Sequence, residues 1–123
     1  MPDTLTPASP PGSPAGEPPP VLAVVQITAK PGDQARVLGE VTAATRRWAA
    51  EAGCSHATAW CDPADQTRFL VREGFDSGEA FQAHLAAPGT GESARRVRQD
   101  LAAPPGRAIW HPVHQPAGWE APR

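Results

Sequence analysis

The nine residues Val21 to Ala29, VLAVVQITA, are rich in β-branched side chains and almost continuously apolar. A strand that alternates apolar and polar residues can leave one face to water, whereas a strand apolar at consecutive positions is covered on both. The chain must therefore set this strand in a sheet with material on either side, and it has little material to spend. Of 16 prolines in the 123 residues, 8 fall in the first 20, where Met1, Leu5, Ala8 and Ala15 are the apolar side chains. Such a stretch buries too little surface to offset its ordering entropy. Residues 1–20 are expected to form a disordered tail, dispensable for stability, and residues 115–123 a second flexible one. About 94 residues remain, Val21 to His114, enough for a single two-layer core.

Along that stretch, Lys30-Pro31-Gly32 ends the first strand and Asp33 stands as a helix N-cap. Val37, Leu38, Val41, Thr45, Trp48, Ala49 and Ala52 then recur at helical spacing, with Gly53 placed as the residue after the helix. Ser55 to Cys61 alternates as a second strand, Asp62 to Gln66 has turn composition, and Thr67 to Phe75 reads as a third. Its parity sets Thr67, Phe69, Val71, Glu73 and Phe75 on one face. Ser77 caps a short helix carrying Phe81, His84 and Leu85. Pro88-Gly89-Thr90-Gly91 is expected to break it before a polar helix from Glu92 to Leu101. Arg107 to Val113 is the last strand. The order βαββαβ is ferredoxin-like, an α+β fold with a four-stranded antiparallel sheet and helices on one face. No element is left to cover the other face, so a second copy of the sheet is expected there, in a two-fold homodimer.

Charge excludes several partners. Between Val21 and His114 there are 10 Lys or Arg and 10 Asp or Glu, so neither a nucleic acid nor an anionic membrane finds a basic field. No apolar run approaches membrane-spanning length, and the N-terminus lacks the basic-then-apolar pattern of a secretory signal, so a cytoplasmic location is expected. Cys54 and Cys61, on one strand about 23 Å apart at about 3.3 Å per residue and on opposite faces, are expected to be free thiols.

Three segments resemble the antibiotic biosynthesis monooxygenase family of dimeric α/β barrels: the opening strand running into Lys30-Pro31-Gly32 and a long helix; Glu51-Ala52-Gly53-Cys54; and Arg72-Glu73-Gly74-Phe75-Asp76-Ser77 continuing to Ala83-His84-Leu85, with Pro88 after it. The third is the most specific, since it fixes a strand end, a capped helix start and an Ala-His-Leu at set offsets. The resemblance implies a dimer and cofactor-independent oxygenation of a small electron-rich phenol, hydroquinone or anthrone by molecular oxygen, often in polyketide tailoring. The substrate supplies the electrons, while the protein supplies a base, an apolar cavity and groups that steady the anion. Where anthrone oxygenases carry Asn and Trp on the third strand, this chain has Val71 and Phe75. Where haem-degrading relatives carry Asn on the first strand, it has Val25. The quinol-oxygenase pattern, with Glu73 and His84, fits better. The alternative is a non-oxidative member that binds an aromatic ligand or catalyses proton transfer or cyclisation. A third reading is a structural partner in a tailoring complex.

His84 is the leading candidate base, because imidazoles titrate near neutrality and its helix stripe points it at the sheet. Glu73, on an apolar strand face, either orients His84, hydrogen-bonds a substrate or pairs with an arginine. Val25, Phe69, Val71, Phe75 and Phe81 are expected to wall the substrate cavity. Trp60, alternating with His56, either stacks on a ligand or meets a second sheet. Arg72 faces the opposite side from Glu73. His111 and His114 lack a third ligand, and no metal or cofactor is expected.

Overall fold

A computed structural model describes residues 19–113; most of the expected N-terminal tail and all of the C-terminal one, with His114, lie outside them. The elements run β1 (Val21–Thr28), α1 (Gln34–Ala49), β2 (Cys54–Asp62), β3 (Asp65–Phe75), α2 (Gly78–Ala86), α3 (Pro88–Arg98) and β4 (Gly106–Trp110). The strands form one antiparallel sheet in the order β2-β3-β1-β4, so the apolar strand is central, as its sequence requires. The ferredoxin-like fold is as expected. Among the described residues, no helix is long and apolar enough to cross a membrane.

Local chemistry explains most boundaries and corrects several. Asp33 occupies the N-cap of α1 but makes no side-chain cap hydrogen bond; its carboxylate pairs with Arg36 at 3.8 Å. The helix ends at Ala49, earlier than its periodicity suggests, and Gly53 serves the turn into β2 with φ of 80°. That glycine has a second reason: a Cβ there would stand 2.6 Å from Cβ of Ala80. Leu38 and Ala49 face solvent, and Ala44 takes a core position instead. The β2–β3 hairpin turns on Pro63 and Ala64 alone. Ser77 caps α2 as expected, its hydroxyl accepting from the Ala80 N–H at 3.1 Å.

The expected break at Pro88 is a helix start. Proline has no N–H to lose in a first turn and its φ suits one, while the residue before it is driven to extended backbone. Ala87 is extended (φ −67°, ψ 132°), which ends α2 at Ala86 and starts α3 at Pro88. The last strand is correspondingly short and stops at Trp110.

All three helices lie on one side of the sheet, facing the odd-numbered residues of β1 and β3. Two clusters fill the interface. One joins Ile27, Phe69 and Val71 to Val37, Val41, Val97 and Leu101; the other joins Val21, Ala23 and Phe75 to Phe81. On the opposite face, Leu22, Val24 and Leu70 are half-buried and flanked by Trp60 and Trp110, both more than half exposed.

A bulge between Cys54 and His56 resets the strand parity: Cys54 is the register partner of Phe75 and Cys61 of Phe69. The two cysteines therefore share a parity, not opposite faces; both are free.

Candidate active site

α2 lays His84 against the sheet, where it is only 3% exposed. Its ring is held on two sides, edge-on by Trp48 at 5.0 Å between centroids and tilted by Phe75 at 5.0 Å. Each ring nitrogen meets a carboxyl. Nδ1 lies 2.8 Å from Oε1 of Glu51, and Nε2 lies 3.7 Å from Oε2 of Glu73, beyond direct hydrogen-bond range.

Glu73 is placed by β3, in register with Ala23 of β1 and Ala57 of β2. It is 5% exposed. Burial pushes its carboxyl above the usual carboxylate range; His84 and Arg107 pull the other way, and the nearby Glu51 adds to the rise.

His84 and Glu73 open on a cavity of about 120 Å³ between sheet and helices. Its walls are mostly aliphatic, from Val25, Ile27, Val41, Val71, Val97 and Leu101, with Trp48 beside them. Ser93 and Arg107 add polar groups; Ser93 is buried and its hydroxyl accepts from Arg47. The arrangement can take a flat apolar ring and offer one imidazole and one carboxyl to a single polar substituent.

Of the residues chosen from sequence, Val25, Val71, Glu73 and His84 meet in this cavity. Phe69, Phe75 and Phe81 do not line it. Phe69 packs with Ile27 and Val37, and Phe81 with Val21, Ala23 and Phe75, whose ring backs His84 instead. Strand parity puts Phe69, Val71, Glu73 and Phe75 on the helix-facing side, but it does not say which stretch of that side stays open. The residues missed are Glu51, Trp48, Ser93 and Arg107. Glu51 stands in the Glu51-Ala52-Gly53-Cys54 segment just past the end of α1, and nothing in its spacing links it to His84.

Outside the cavity, His56 and Trp60 lie on the opposite sheet face with Arg72. His56 sits over Gly74, where its ring occupies the space a side chain would need; burial and then the Arg72 charge lower its pKa. The Trp60 indole donates to Oγ1 of Thr58 at 2.9 Å. His111 lies 3.2 Å from the carbonyl of Pro20.

Against known proteins, the model of the antibiotic biosynthesis monooxygenase domain matches residues 20–96. The chain belongs to the antibiotic biosynthesis monooxygenase family. Solved structures share its fold: Rv0793 from Mycobacterium tuberculosis (18% identity, 78% of this chain and 97% of that one, TM-score 0.73), PA3566 from Pseudomonas aeruginosa (21%, 81% and 100%, 0.73), and a variant of SnoaB, a cofactor-independent oxygenase from Streptomyces nogalater (17%, 81% and 98%, 0.71). No curated protein matches the chain. Among the described residues of this monooxygenase-family domain, no three or more His, Cys, Asp or Glu side chains gather where they could hold a metal ion.

Proposed function

We propose that this protein is a cofactor-independent monooxygenase acting on a small electron-rich aromatic phenol or hydroquinone, in the tailoring of a polyketide-like metabolite. The observation that carries the reading is the pairing of a buried imidazole with a buried carboxyl, 3.7 Å apart, at the wall of an otherwise aliphatic cavity. Because that separation is less than twice a hydrogen-bond length of about 2.8 Å, one oxygen can reach both groups.

In this reading, the substrate ring lies against Val25 and Val71 with its hydroxyl at His84. Nε2 of His84 takes the hydroxyl proton. Glu73, which burial favours in its protonated form, donates to the oxygen as negative charge develops on it. The resulting anion is electron-rich enough to pass an electron to molecular oxygen, so the substrate rather than a flavin or metal does the redox work. Phe69, Phe75 and Phe81 support the wall from behind. SnoaB, described as a cofactor-independent oxygenase on the same fold, favours this chemistry.

The protein works as a homodimer, joined through the sheet face that carries Leu22, Val24, Leu70, Trp60 and Trp110. β1 is apolar on that face as well, and a second sheet would cover it.

The test is oxygen uptake by metal- and flavin-free protein over a panel of hydroquinones and anthrones, with isotopically labelled oxygen. Uptake with label in the product supports the reading. Tight binding of an aromatic without uptake would favour the non-oxidative alternative, consistent with Val71 and Phe75 standing where anthrone oxygenases have Asn and Trp.

A further inference from the structure

We propose that Glu51 is the positioning residue of this site: by accepting the Nδ1–H of His84, it fixes the imidazole in the tautomer whose Nε2 lone pair faces the cavity. The proposal rests on the reading of His84 as the base.

A neutral imidazole carries one N–H, and the group facing each nitrogen decides which one. Here the two nitrogens face different carboxyls. Glu51 stands 2.8 Å from Nδ1, at full hydrogen-bond contact, and Glu73 stands 3.7 Å from Nε2. Glu51, the one carboxyl in hydrogen-bond contact, holds the proton-bearing nitrogen, which leaves Nε2 free to act. Without Glu51, Nδ1 would lose this acceptor, and the Nε2–H tautomer, which cannot accept a proton at the cavity, would become populated.

The backbone holds Glu51 for this task. It follows the end of α1, where its N–H donates to the carbonyl of Trp48 at 3.0 Å and its own carbonyl accepts from Cys54 at 3.1 Å. Two residues on, the Gly53 carbonyl accepts from Asp76 at 2.8 Å, tying this turn to the start of α2. Trp48 and Glu51, one turn apart, thus reach the same ring: the indole restricts its plane and the carboxylate its rotation. Glu51 retains 28% side-chain exposure against 6% for Glu73, so it is the less desolvated of the two carboxyls. When Nε2 accepts the substrate proton, the imidazolium has that carboxylate already against its other N–H, and the charge needs no reorganisation. One proton moves from the substrate oxygen to Nε2; Glu51 neither gains nor loses one.

Two measurements on the full chain test this. Nitrogen NMR of ring-labelled histidine reads the tautomer in the resting protein, with no turnover required. The expected result is a protonated Nδ1 and an unprotonated Nε2 for His84, becoming a mixture in Glu51→Gln, whose amide can donate as well as accept. Kinetics with the best substrate of the panel should show kcat down about 100-fold in Glu51→Gln, the scale of general-base catalysis, with KM within about twofold and partial recovery in Glu51→Asp. A resting Nε2–H tautomer overturns the proposal, as does an unchanged tautomer or an unchanged kcat in Glu51→Gln. Full turnover in His84→Ala is a different failure: it removes the base reading, whatever the tautomer shows. If nothing in the panel is turned over, the NMR arm alone still decides whether Glu51 sets the tautomer.

Discussion

Phe81 is where the cavity and the core can be told apart by experiment. Its side chain is fully buried, packed against Val21, Ala23 and Phe75 at 5.4 Å between the two phenyl centroids. It is also one of only two buried residues of α2, the other being His84. Truncating a buried phenylalanine costs about 3–5 kcal/mol, from lost transfer energy and the void left behind. Against a total stability of about 5–15 kcal/mol, that is a large fraction. For a domain of this size each kcal/mol moves Tm by about 4–8 °C, so Phe81→Ala should lower Tm by about 12 °C or more. Phe81→Leu keeps most of the volume and should cost about 1–2 kcal/mol. Thermal melts followed by circular dichroism give the shifts, and substrate titration gives KM. Because Phe81 does not line the cavity, Phe81→Leu should leave KM within about twofold. A Tm loss under about 4 °C for Phe81→Ala would refute the packing argument. A large KM change in a well-folded Phe81→Leu would return Phe81 to the cavity wall.

Three further outcomes are expected. Glu73 has a raised pKa in the folded protein, so its contribution to stability is complete below the unfolded carboxyl's pKa of about 4.3 and is lost as pH rises through the folded value. Glu73→Gln should therefore be the more stable form at pH 7–8, with the gap closing below about pH 4, as read by urea denaturation across pH; a gap that widens on acidification would reverse the sign. Gly74→Ala should cost about 1–3 kcal/mol by overpacking, because the new methyl meets the His56 ring and the Ser55 hydroxyl; unchanged stability would show that His56 swings away freely. Light scattering at micromolar concentration should give a dimer, and Val24→Lys a monomer; a monomeric parent protein would remove the homodimer reading.

The sheet was legible because its pattern is local. β-branched residues in β1, alternation in β3 and the Ser77 cap each act over a few residues, and together they dictate element type and order. Boundaries governed by one residue's backbone chemistry are harder: Pro88 has the pattern of a breaker, although the same missing N–H that breaks a helix interior suits a first turn. The parity of β2 failed for a comparable reason, since a one-residue bulge at Ser55 is invisible in composition. The site divides along the same line. His84 and Glu73 were readable because each lies on the apolar face of a periodic element. Glu51 was not, because its meeting with His84 spans 33 residues and depends on how α1 and α2 close over the sheet. Phe69 and Phe75 on β3 and Phe81 on α2 all face the layer between sheet and helices but pack away from its open stretch, since packing density along an element is a tertiary property.

The most direct test of the central claim is the turnover of His84→Ala on the substrate of the panel that consumes oxygen fastest, with His111→Ala as a control away from the cavity. Removing a general base typically costs about 100-fold or more. The expected result is oxygen uptake reduced by about that factor in His84→Ala, with far-ultraviolet circular dichroism and the light-scattering mass unchanged from the parent, and uptake near the parent rate in His111→Ala. Parent-level uptake in His84→Ala would contradict the assignment of the base and, with it, the reading of the His84–Glu73 cavity as the site of reaction.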